Sequence, residues 1–278
     1  MRLIAIDLDG TLLSADGTIS SANKEAILDV QRKGNIVIIS SGRSFHDTKQ
    51  ILQNADLKCP IIIGNGALSF HSNSLIQRLT LSINILQDLL VMLEKSNLYY
   101  EIYTNKGILL KQNGKEILNK EIQNLQFDTD WARDLVDIQY KQHGLIFVKN
   151  YLDTDFSNLD PYKIFVFSFD GGKLSRLEKI LSHRKDISIT TSGSQKLEIG
   201  NVNANKGNGL KIMANYFGIP LENTVAIGDN LNDLSMFETA GISIAMGNAE
   251  DVVKEKATYI TKRYDDDGVA YALRCYVY

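Results

Sequence analysis

The chain has 278 residues, of which 44% are hydrophobic and 23% charged, and its formal net charge is −3 at pH 7. This composition is typical of globular proteins, and the length favours two domains over one. The acidic balance argues against nucleic acid as a partner, because phosphate backbones attract basic surfaces. No run approaches 18 consecutive apolar residues, which disfavours a membrane partner, and the N-terminus lacks a signal-peptide pattern.

The two cysteines, Cys59 and Cys275, are far apart in the chain and match neither zinc-binding nor redox spacing. Reduced thiols are the simplest interpretation. We therefore expect a cytoplasmic protein.

Short apolar runs, each followed by a polar residue or glycine and then by a helical pattern, recur along the chain, at 3–7, 35–40, 60–65, 224–229 and 241–247. Nearly continuous β-branched runs predict strands of a parallel sheet that is covered on both faces. Between them, capped helical patterns occur at 20–34, 205–220 and 248–257. The alternation predicts an α/β, doubly wound core.

The middle of the chain differs, because strands and helices with polar faces alternate there, as in "LYYEIYT" (98–104) and "YKIFVFSFD" (162–170). We predict an inserted α+β domain at 81–189 and a core formed by 1–80 and 190–278, with short connections near Arg78 and Ser192. We expect the aromatic side chains of the insertion to form its core, namely Trp131, Tyr99, Tyr100 and Tyr103.

The first strand ends in "IAIDLDGTLL" (4–13), where Asp7 and Asp9 are two residues apart. Side chains at this spacing lean to the same side of an extended backbone, so the two carboxylates should repel each other. Each aspartate alone would be interpreted as a helix cap or turn residue. The pair instead raises the question of which cation offsets the repulsion.

Other strand ends also carry polar side chains, and Lys206 opens a helix; the strand-end residues are Ser40, Ser41, Asn65, Asp229, Asn232 and Asp233. In open α/β sheets, ligands bind beyond the carboxyl ends of the strands. Four carboxylates beside one ammonium group need more positive charge, which Mg²⁺ with oxygen ligands supplies. Any one of these residues could be structural, but their joint occurrence in this order favours a catalytic site.

These residues resemble the haloacid dehalogenase superfamily of Mg²⁺-dependent phosphohydrolases, in its Cof-like branch with a type IIB cap. "DLDGTLL" resembles the first motif, "SSGR" (40–43) the second, Lys206 with Gly207 the third, and "GDNLNDLSM" (228–236) the fourth. "NGA" (65–67), "AMGNAEDVVKEKATYIT" (245–261) and "DDDGVA" (265–270) are also similar to that branch. The resemblance implies a Rossmann-like core with an inserted α+β cap.

The resemblance further implies a role for each matching residue. Asp7 would be the nucleophile that forms an aspartyl-phosphate, and Asp9 the acid and base for the leaving group and the water. Mg²⁺ would be held by Asp7, the backbone carbonyl of Asp9, and Asp229, while Asp233 would orient Lys206 or water and Thr11 would hydrogen-bond near the Asp9 loop. The phosphoryl group would be bound by the backbone of Leu8 and by Ser41, Gly42, Lys206 and Asn232.

The chain departs from the pattern of that branch at three places, one of which is "GRSF" (42–45) in place of the more common glycine-arginine-proline. Ser41 replaces the more common threonine, which keeps the hydroxyl donor but loses the methyl group that restricts the rotamer. The segment before Lys206 reads "IGNVNANKG" (199–207) in place of a proline and glycine. We expect Asn203 to take the left-handed conformation there, because asparagine tolerates it.

The sequence thus predicts a phosphatase of small phosphorylated metabolites, sugar phosphates foremost. A phosphotransferase or phosphomutase on the same scaffold is the alternative within enzymes. A phospho-accepting signalling domain would share the acidic cluster, but it would need no insertion of this size. An inactive binding protein is disfavoured by the intact set of acidic residues. The particular substrate and the oligomeric state are not encoded in any pattern we identify.

Overall fold

The computed structural model describes residues 1–125, 129–191 and 193–277. The chain divides into two compact units, a core unit of Met1–Arg78 with Ala204–Tyr278 and an inserted unit of Leu79–Asn203. The connection predicted near Arg78 coincides with a boundary between the units. The other one, predicted near Ser192, falls on a residue outside the described part of the chain.

The first half of the core unit alternates strands and helices. Its elements are β1 (Leu3–Ile6), α1 (Ser21–Arg32), β2 (Ile36–Ser40), α2 (Phe45–Asn54), β3 (Ile61–Ile63), β4 (Leu68–His71) and β5 (Ser74–Arg78). Ser20 and Ser44 fix the starts of α1 and α2, because their side chains accept hydrogen bonds from backbone amides in the first turn. All four residues of β1 are buried, as expected of a strand covered on both faces.

The inserted unit contains one mixed sheet and four helices within its described residues. Its elements are α3 (Ile83–Ser96), β6 (Tyr99–Thr104), β7 (Gly107–Lys111), α4 (Gly114–Ile122), α5 (Asp130–Tyr140), β8 (Leu145–Val148), β9 (Lys163–Phe167), α6 (Gly171–Leu181), β10 (Ile187–Thr190) and β11 (Lys196–Asn201). The strand order is β10-β11-β9-β6-β7-β8, and all pairs are antiparallel except β7 with β8.

Alternation along β6 builds the core of the inserted unit. Tyr100 and Ile102 join an apolar cluster with leucines of α3 and α6, while Tyr99 and Tyr103 are buried on the opposite face of the sheet. The prediction for these three tyrosines is confirmed, but the prediction for Trp131 is wrong. Its side chain is 46% exposed, because the buried face of α5 runs through Ala132 and Val136 instead.

The inserted unit extends further along the chain than the sequence indicates. We predicted a return to the core at residue 190, whereas the compact unit continues to Asn203. The physical reason is β11, which pairs with β9 through Leu197 and Val166 and with β10 through Ile199 and Ile189. Because β11 fills the sheet of the insertion, the polypeptide can rejoin the core only after it ends.

The second half of the core unit completes the parallel sheet. Its elements are α7 (Lys206–Tyr216), β12 (Thr224–Gly228), α8 (Leu234–Thr239), β13 (Ile242–Ala245), α9 (Asp251–Lys254), β14 (Tyr259–Ile260) and α10 (Gly268–Tyr276). The strand order is β14-β13-β12-β1-β2-β3-β4-β5, parallel from β14 to β3 and antiparallel beyond. This topology confirms the predicted doubly wound α/β core. Within the described residues, no helix combines the length and the apolar character that a bilayer span requires.

Candidate active site

The register of the central strands places Asp7 level with Ser40 and Gly228, the residues that directly precede Ser41 and Asp229. Ile6 of β1 pairs with Ile39 of β2 on one side and with Ile227 of β12 on the other. The next residues along these parallel strands, among them Asp7, therefore emerge together at the carboxyl edge of the sheet. In the sequence, by contrast, Asp7 and Asp229 are 222 positions apart.

Lys206 forms the centre of a buried ion-pair cluster. Its side chain is 0% exposed, and its Nζ lies 2.6 Å from Oδ1 of Asp7 and 2.5 Å from Oδ1 of Asp233. The side chain of Asn205 caps α7 and so fixes Lys206 as its first residue. Burial acts to lower the pKa of Lys206, but the charges of Asp233 and Asp7 outweigh it, and the pKa is raised. The lysine is therefore a permanent cation in this site.

The approach to Lys206 differs from the sequence expectation at Asn203. Asn203 has no positive φ, and the left-handed asparagine of the core unit's site is Asn65, with φ of 56°. The neighbouring Gly66 has φ of 92°, and a Cβ atom on it would lie 2.0 Å from the carbonyl oxygen of Asn205. The close approach to α7 is therefore made possible by the turn after β3, and not by the residues that precede Lys206.

Asp229 lies after β12 and is held by two side chains. Oδ1 accepts a hydrogen bond from Thr11 Oγ1 at 3.2 Å, and Oδ2 accepts one from Asn248 Nδ2 at 3.4 Å. Burial and the charge of Asp233 raise the pKa of Asp229 to about 7. Burial likewise raises the pKa of Asp7 well above its usual range, against the opposing charge of Lys206 and with added repulsion from Asp233 and Asp229. The cluster therefore carries more negative charge than one lysine compensates.

Asp233 uses both carboxylate oxygens within the protein. Oδ1 pairs with Lys206, and Oδ2 accepts hydrogen bonds from the backbone amides of Asp229 at 2.9 Å and Asn230 at 3.0 Å. Gly228 makes room for this carboxyl group, since a Cβ atom there would lie 2.4 Å from it. Asp233 therefore positions Lys206 and the loop that carries Asp229.

The donor set fits a hard divalent cation. One oxygen each from Asp7, Asp229 and Asp233 lie within 4.8 Å of one another, and their mutual repulsion adds to the effect of burial in raising the pKa values of Asp7 and Asp229. Mg²⁺ prefers oxygen ligands and is typically held by one or two carboxylates. Both oxygens of Asp233 are held by Lys206 and by backbone amides, whereas those of Asp229 accept only from the neutral side chains of Thr11 and Asn248 and Asp7 has one oxygen outside its pair with Lys206. Asp7 and Asp229 are therefore the carboxylates best able to hold the ion.

The side chain of Asp9 makes a different contact from that of Asp7. Both of its oxygens accept hydrogen bonds from Arg43, at 2.9 Å from Nε and 2.7 Å from Nη2. The pair is partly exposed, in contrast to the buried lysine cluster. The aspartates that are two residues apart thus pair with different cations.

The residues predicted to bind phosphate lie on neighbouring loops of the core unit. Leu8 and Ser41 are fully buried, and Ser41 Oγ accepts a hydrogen bond from the amide of Arg43 at 3.1 Å. Asn232 donates to Oδ1 of Asn65 at 3.2 Å, and its own Oδ1 is buried without a hydrogen-bond partner among the described residues. Gly42, between Ser41 and Arg43, precedes α2. The structure thus brings loops after β1, β2, β3 and β12 to one edge of the sheet.

Two residues to which the sequence interpretation gave no role belong to this site. Arg43 stands in the quoted "SSGR", and Asn248 in the quoted "AMGNAED". Asn248 Nδ2 donates to the carbonyl oxygen of Gly10 at 2.9 Å, and its Oδ1 accepts from the amide of Tyr264 at 3.0 Å. Because it also reaches Asp229, Asn248 joins the turn after β1 to the loop after β12. The only sequence signal for Asn248 is its position within the quoted motif "AMGNAED".

The doubly wound fold and the lysine-centred acidic site at the carboxyl edge of its sheet can now be compared with known proteins. Residues 4–273 match the model of a family described as haloacid dehalogenase-like hydrolase. The chain therefore belongs to this family.

Two curated relatives span nearly the whole chain, and both are from Bacillus subtilis (strain 168). One, named phosphatase YwpJ, is 36% identical over 99% of each chain. The other, 5-amino-6-(5-phospho-D-ribitylamino)uracil phosphatase YwtE, is 38% identical over 98% of this chain and 96% of its own length. A solved structure of a haloacid dehalogenase-like hydrolase from B. subtilis superposes with a TM-score of 0.89 at 36% identity, covering 99% of this chain and 100% of that one. The predicted family and the predicted enzyme class, a phosphatase, are confirmed.

Proposed function

We propose that this protein is a Mg²⁺-dependent phosphatase of small phosphorylated metabolites, with sugar phosphates as the expected class, and that Asp7 is its nucleophile. The observation that carries the proposal is the buried Lys206 between Asp7 and Asp233, beside Asp229, at the carboxyl edge of the parallel sheet. Phosphoryl transfer depends on charge neutralisation and positioning, and this arrangement supplies both.

The first chemical step would be attack by Asp7. Its free carboxylate oxygen forms a bond to phosphorus while the bond from phosphorus to the ester oxygen breaks. Lys206 holds Oδ1 of Asp7 and so fixes the direction in which the other oxygen points. The product of this step is an aspartyl-phosphate and the free alcohol of the substrate.

Asp9 would move the protons. It donates one to the departing ester oxygen and then accepts one from the water that hydrolyses the aspartyl-phosphate. Thr11, which donates to Asp229, ties the same turn to the loop after β12. The two aspartates of "DLDGT" thereby perform separate parts of the reaction.

The phosphoryl oxygens would be held by the backbone of Leu8, by Ser41 and Gly42, and by Lys206 and Asn232. Ser41 Oγ accepts from the amide of Arg43, so its hydroxyl hydrogen remains available to donate. The short loop that carries Ser41 and Gly42 also leads into the N-terminus of α2, and the N-terminus of a helix favours anions. These donors match the spread negative charge of the transferred group.

Asp7 and Asp229, with the backbone carbonyl of Asp9, would hold Mg²⁺. When bound, the ion neutralises the carboxylates and the phosphoryl oxygens and so lowers the electrostatic barrier to attack. This proposal accounts for the pKa of Asp229, because a group that titrates at about 7 without a cation becomes a fully ionised ligand with one.

We propose that the inserted unit is the type IIB cap of this family. The relative YwtE is named for a substrate with a phosphorylated ribityl chain, which supports the phosphate ester of a sugar or sugar alcohol as the substrate class here. We propose that the enzyme acts in the cytoplasm, where such metabolites occur.

The decisive experiment measures free phosphate released from a panel of phosphorylated metabolites, with Mg²⁺ and with a chelator. We expect stoichiometric release that requires Mg²⁺. Loss of substrate without free phosphate would indicate a phosphotransferase or phosphomutase instead, and a long-lived phosphorylated protein would indicate a signalling domain.

Asp7→Asn should abolish turnover while the protein remains folded; near-normal activity in that variant would remove Asp7 as the nucleophile.

A further inference from the structure

Arg43 makes the most specific contact of the site that the proposed mechanism does not use. Its Nε donates to Oδ2 of Asp9 at 2.9 Å, and its Nη2 donates to Oδ1 at 2.7 Å. A guanidinium group that binds both oxygens fixes the plane of a carboxylate as well as its position. The carboxylate that is held in this way is the one assigned to proton transfer.

The backbone of Arg43 is held in place by hydrogen bonds. Its amide donates to Ser41 Oγ at 3.1 Å, and its carbonyl oxygen accepts from the amide of Gly64 at 3.2 Å. Ser44, the next residue, caps α2. Because the loop from β2 to α2 is anchored on both sides of Arg43, the side chain reaches Asp9 from a rigid base, unlike an arginine on a mobile surface loop.

The ion pair of Arg43 with Asp9 differs from other exposed ion pairs because Asp9 directly follows the strand end that carries Asp7. Asp9 lies in the turn that follows Asp7, and Gly10 in that turn has φ of 76°, so the backbone leaves the extended conformation immediately after Asp9. The side chain of Asp9 is 58% exposed. Packing therefore does little to hold it, and the two hydrogen bonds from the guanidinium group restrain its orientation.

We propose that Arg43 is the positioning residue for proton transfer by Asp9, an inference that rests on the proposed function of the site. Nε, the nitrogen nearer the backbone, keeps Oδ2 of Asp9 fixed throughout the reaction. Oδ1 leaves Nη2, takes up a proton from solvent and then serves as the proton-carrying oxygen. It gives its proton to the ester oxygen as the bond from phosphorus to that oxygen breaks, and later takes one from the attacking water. Arg43 itself touches neither reacting atom.

The proposal predicts a loss that depends on the leaving group. A nitrophenolate ion departs without a proton, whereas an alkoxide needs one. Arg43→Ala should therefore lower kcat/KM, which reports formation of the aspartyl-phosphate and not its hydrolysis, by about 10- to 100-fold for glycerol phosphate and by less than about threefold for 4-nitrophenyl phosphate. Arg43→Lys should resemble Arg43→Ala, because an ammonium group is a point charge that cannot hold both oxygens. Added guanidinium ion should restore part of the lost activity of Arg43→Ala.

The matched control is Arg184→Ala. Arg184 also binds both oxygens of one aspartate, Asp186, at 2.9 Å from Nε and 2.5 Å from Nη2, but it lies in the inserted unit. We expect this variant to match the wild type with both substrates. Circular dichroism of each variant verifies the fold.

Two outcomes would overturn the inference while leaving the phosphatase proposal intact. The first is an equal loss of kcat/KM with both substrates, as expected if Arg43 bound the phosphoryl group directly. The second is activity unchanged by Arg43→Ala. The double variant Asp9→Asn with Arg43→Ala should be no slower than Asp9→Asn alone, because the arginine acts only through Asp9; an additive loss also contradicts the inference. Failure of the wild-type enzyme to release phosphate from any substrate would instead count against the proposed function.

Discussion

A Cβ atom on Gly10 would lie 2.3 Å from Oδ2 of Asp229. The turn after β1 and the carboxylate after β12 are therefore in direct contact, although they are far apart in the sequence. Glycine is needed at this position for space as well as for its φ of 76°. The carboxylate predicted to hold the metal is thus packed against the turn that carries Asp7 and Asp9.

We expect Gly10→Ala to weaken Mg²⁺ binding by about tenfold or more, because the added methyl group displaces the Asp229 carboxylate. Isothermal titration calorimetry measures this. Gly17→Ala is the matched control, since Gly17 has a similar φ of 79° and nothing within 4 Å of its added Cβ. Both variants should lose about 1 kcal/mol of stability through backbone strain, but only the first should lose metal affinity. Equal Mg²⁺ affinity in the two variants would show that the contact has no role in binding.

Much of this site follows from the sequence, because a parallel sheet brings the ends of its strands to one edge. That rule gathers Asp7, Ser41 and Asp229 without any knowledge of side-chain contacts. It does not reveal that Arg43 pairs with Asp9 or that Asn248 joins two loops. Such contacts depend on rotamers and loop conformations, which hydrophobic periodicity does not encode.

For the fold, too, the sequence predicts some features and leaves others undetermined. The apolar runs predict the parallel strands of the core, since covered strands must be continuously hydrophobic. They do not predict which sheet accepts β11, because "KLEIGN" (196–201) alternates like a strand of either unit. The exposure of Trp131 is likewise set by the register of α5 against its sheet, and an aromatic residue alone does not indicate that register.

Replacing Asp229 or Asp233 by asparagine should affect Mg²⁺ binding to different extents. We expect Asp229→Asn to abolish measurable Mg²⁺ binding, because it removes a ligand. Asp233→Asn should retain binding, weakened by about 10- to 100-fold, since Asp233 acts through Lys206 and the amides of Asp229 and Asn230. Calorimetric titration with Mg²⁺ alone separates the two. The opposite ranking would place Asp233 among the metal ligands.

The effect of Mg²⁺ on stability should depend on pH. The pKa of Asp229 is raised to about 7 in the folded protein, against an ordinary value of 3.8. Between these values the folded state binds more protons than the unfolded state, so the stability of the metal-free protein should fall as pH rises from about 4 to 7. Mg²⁺ binds the ionised form, and therefore the increase in Tm that it causes should grow over the same range. Thermal melts at pH 5, 6, 7 and 8 with Mg²⁺ and with a chelator test this. An increase in Tm that does not vary with pH would contradict the assigned origin of the shift.

Lys206 should contribute more to stability than any exposed lysine of the chain that the structure describes. Its side chain is 0% exposed and neutralises two buried carboxylates, those of Asp7 and Asp233. Lys206→Met fills similar space but leaves both carboxylates without their cation, and removal of one partner from a buried pair costs about 3–5 kcal/mol. Urea denaturation measures this loss.

Lys115→Met is the control, because Lys115 pairs with Asp137 at 3.0 Å with both side chains about half exposed, and solvent screens such a pair. Mg²⁺ should recover part of the stability of Lys206→Met by supplying positive charge to Asp7. If the two variants unfolded at the same urea concentration, the buried lysine would not be the charge that holds these carboxylates together.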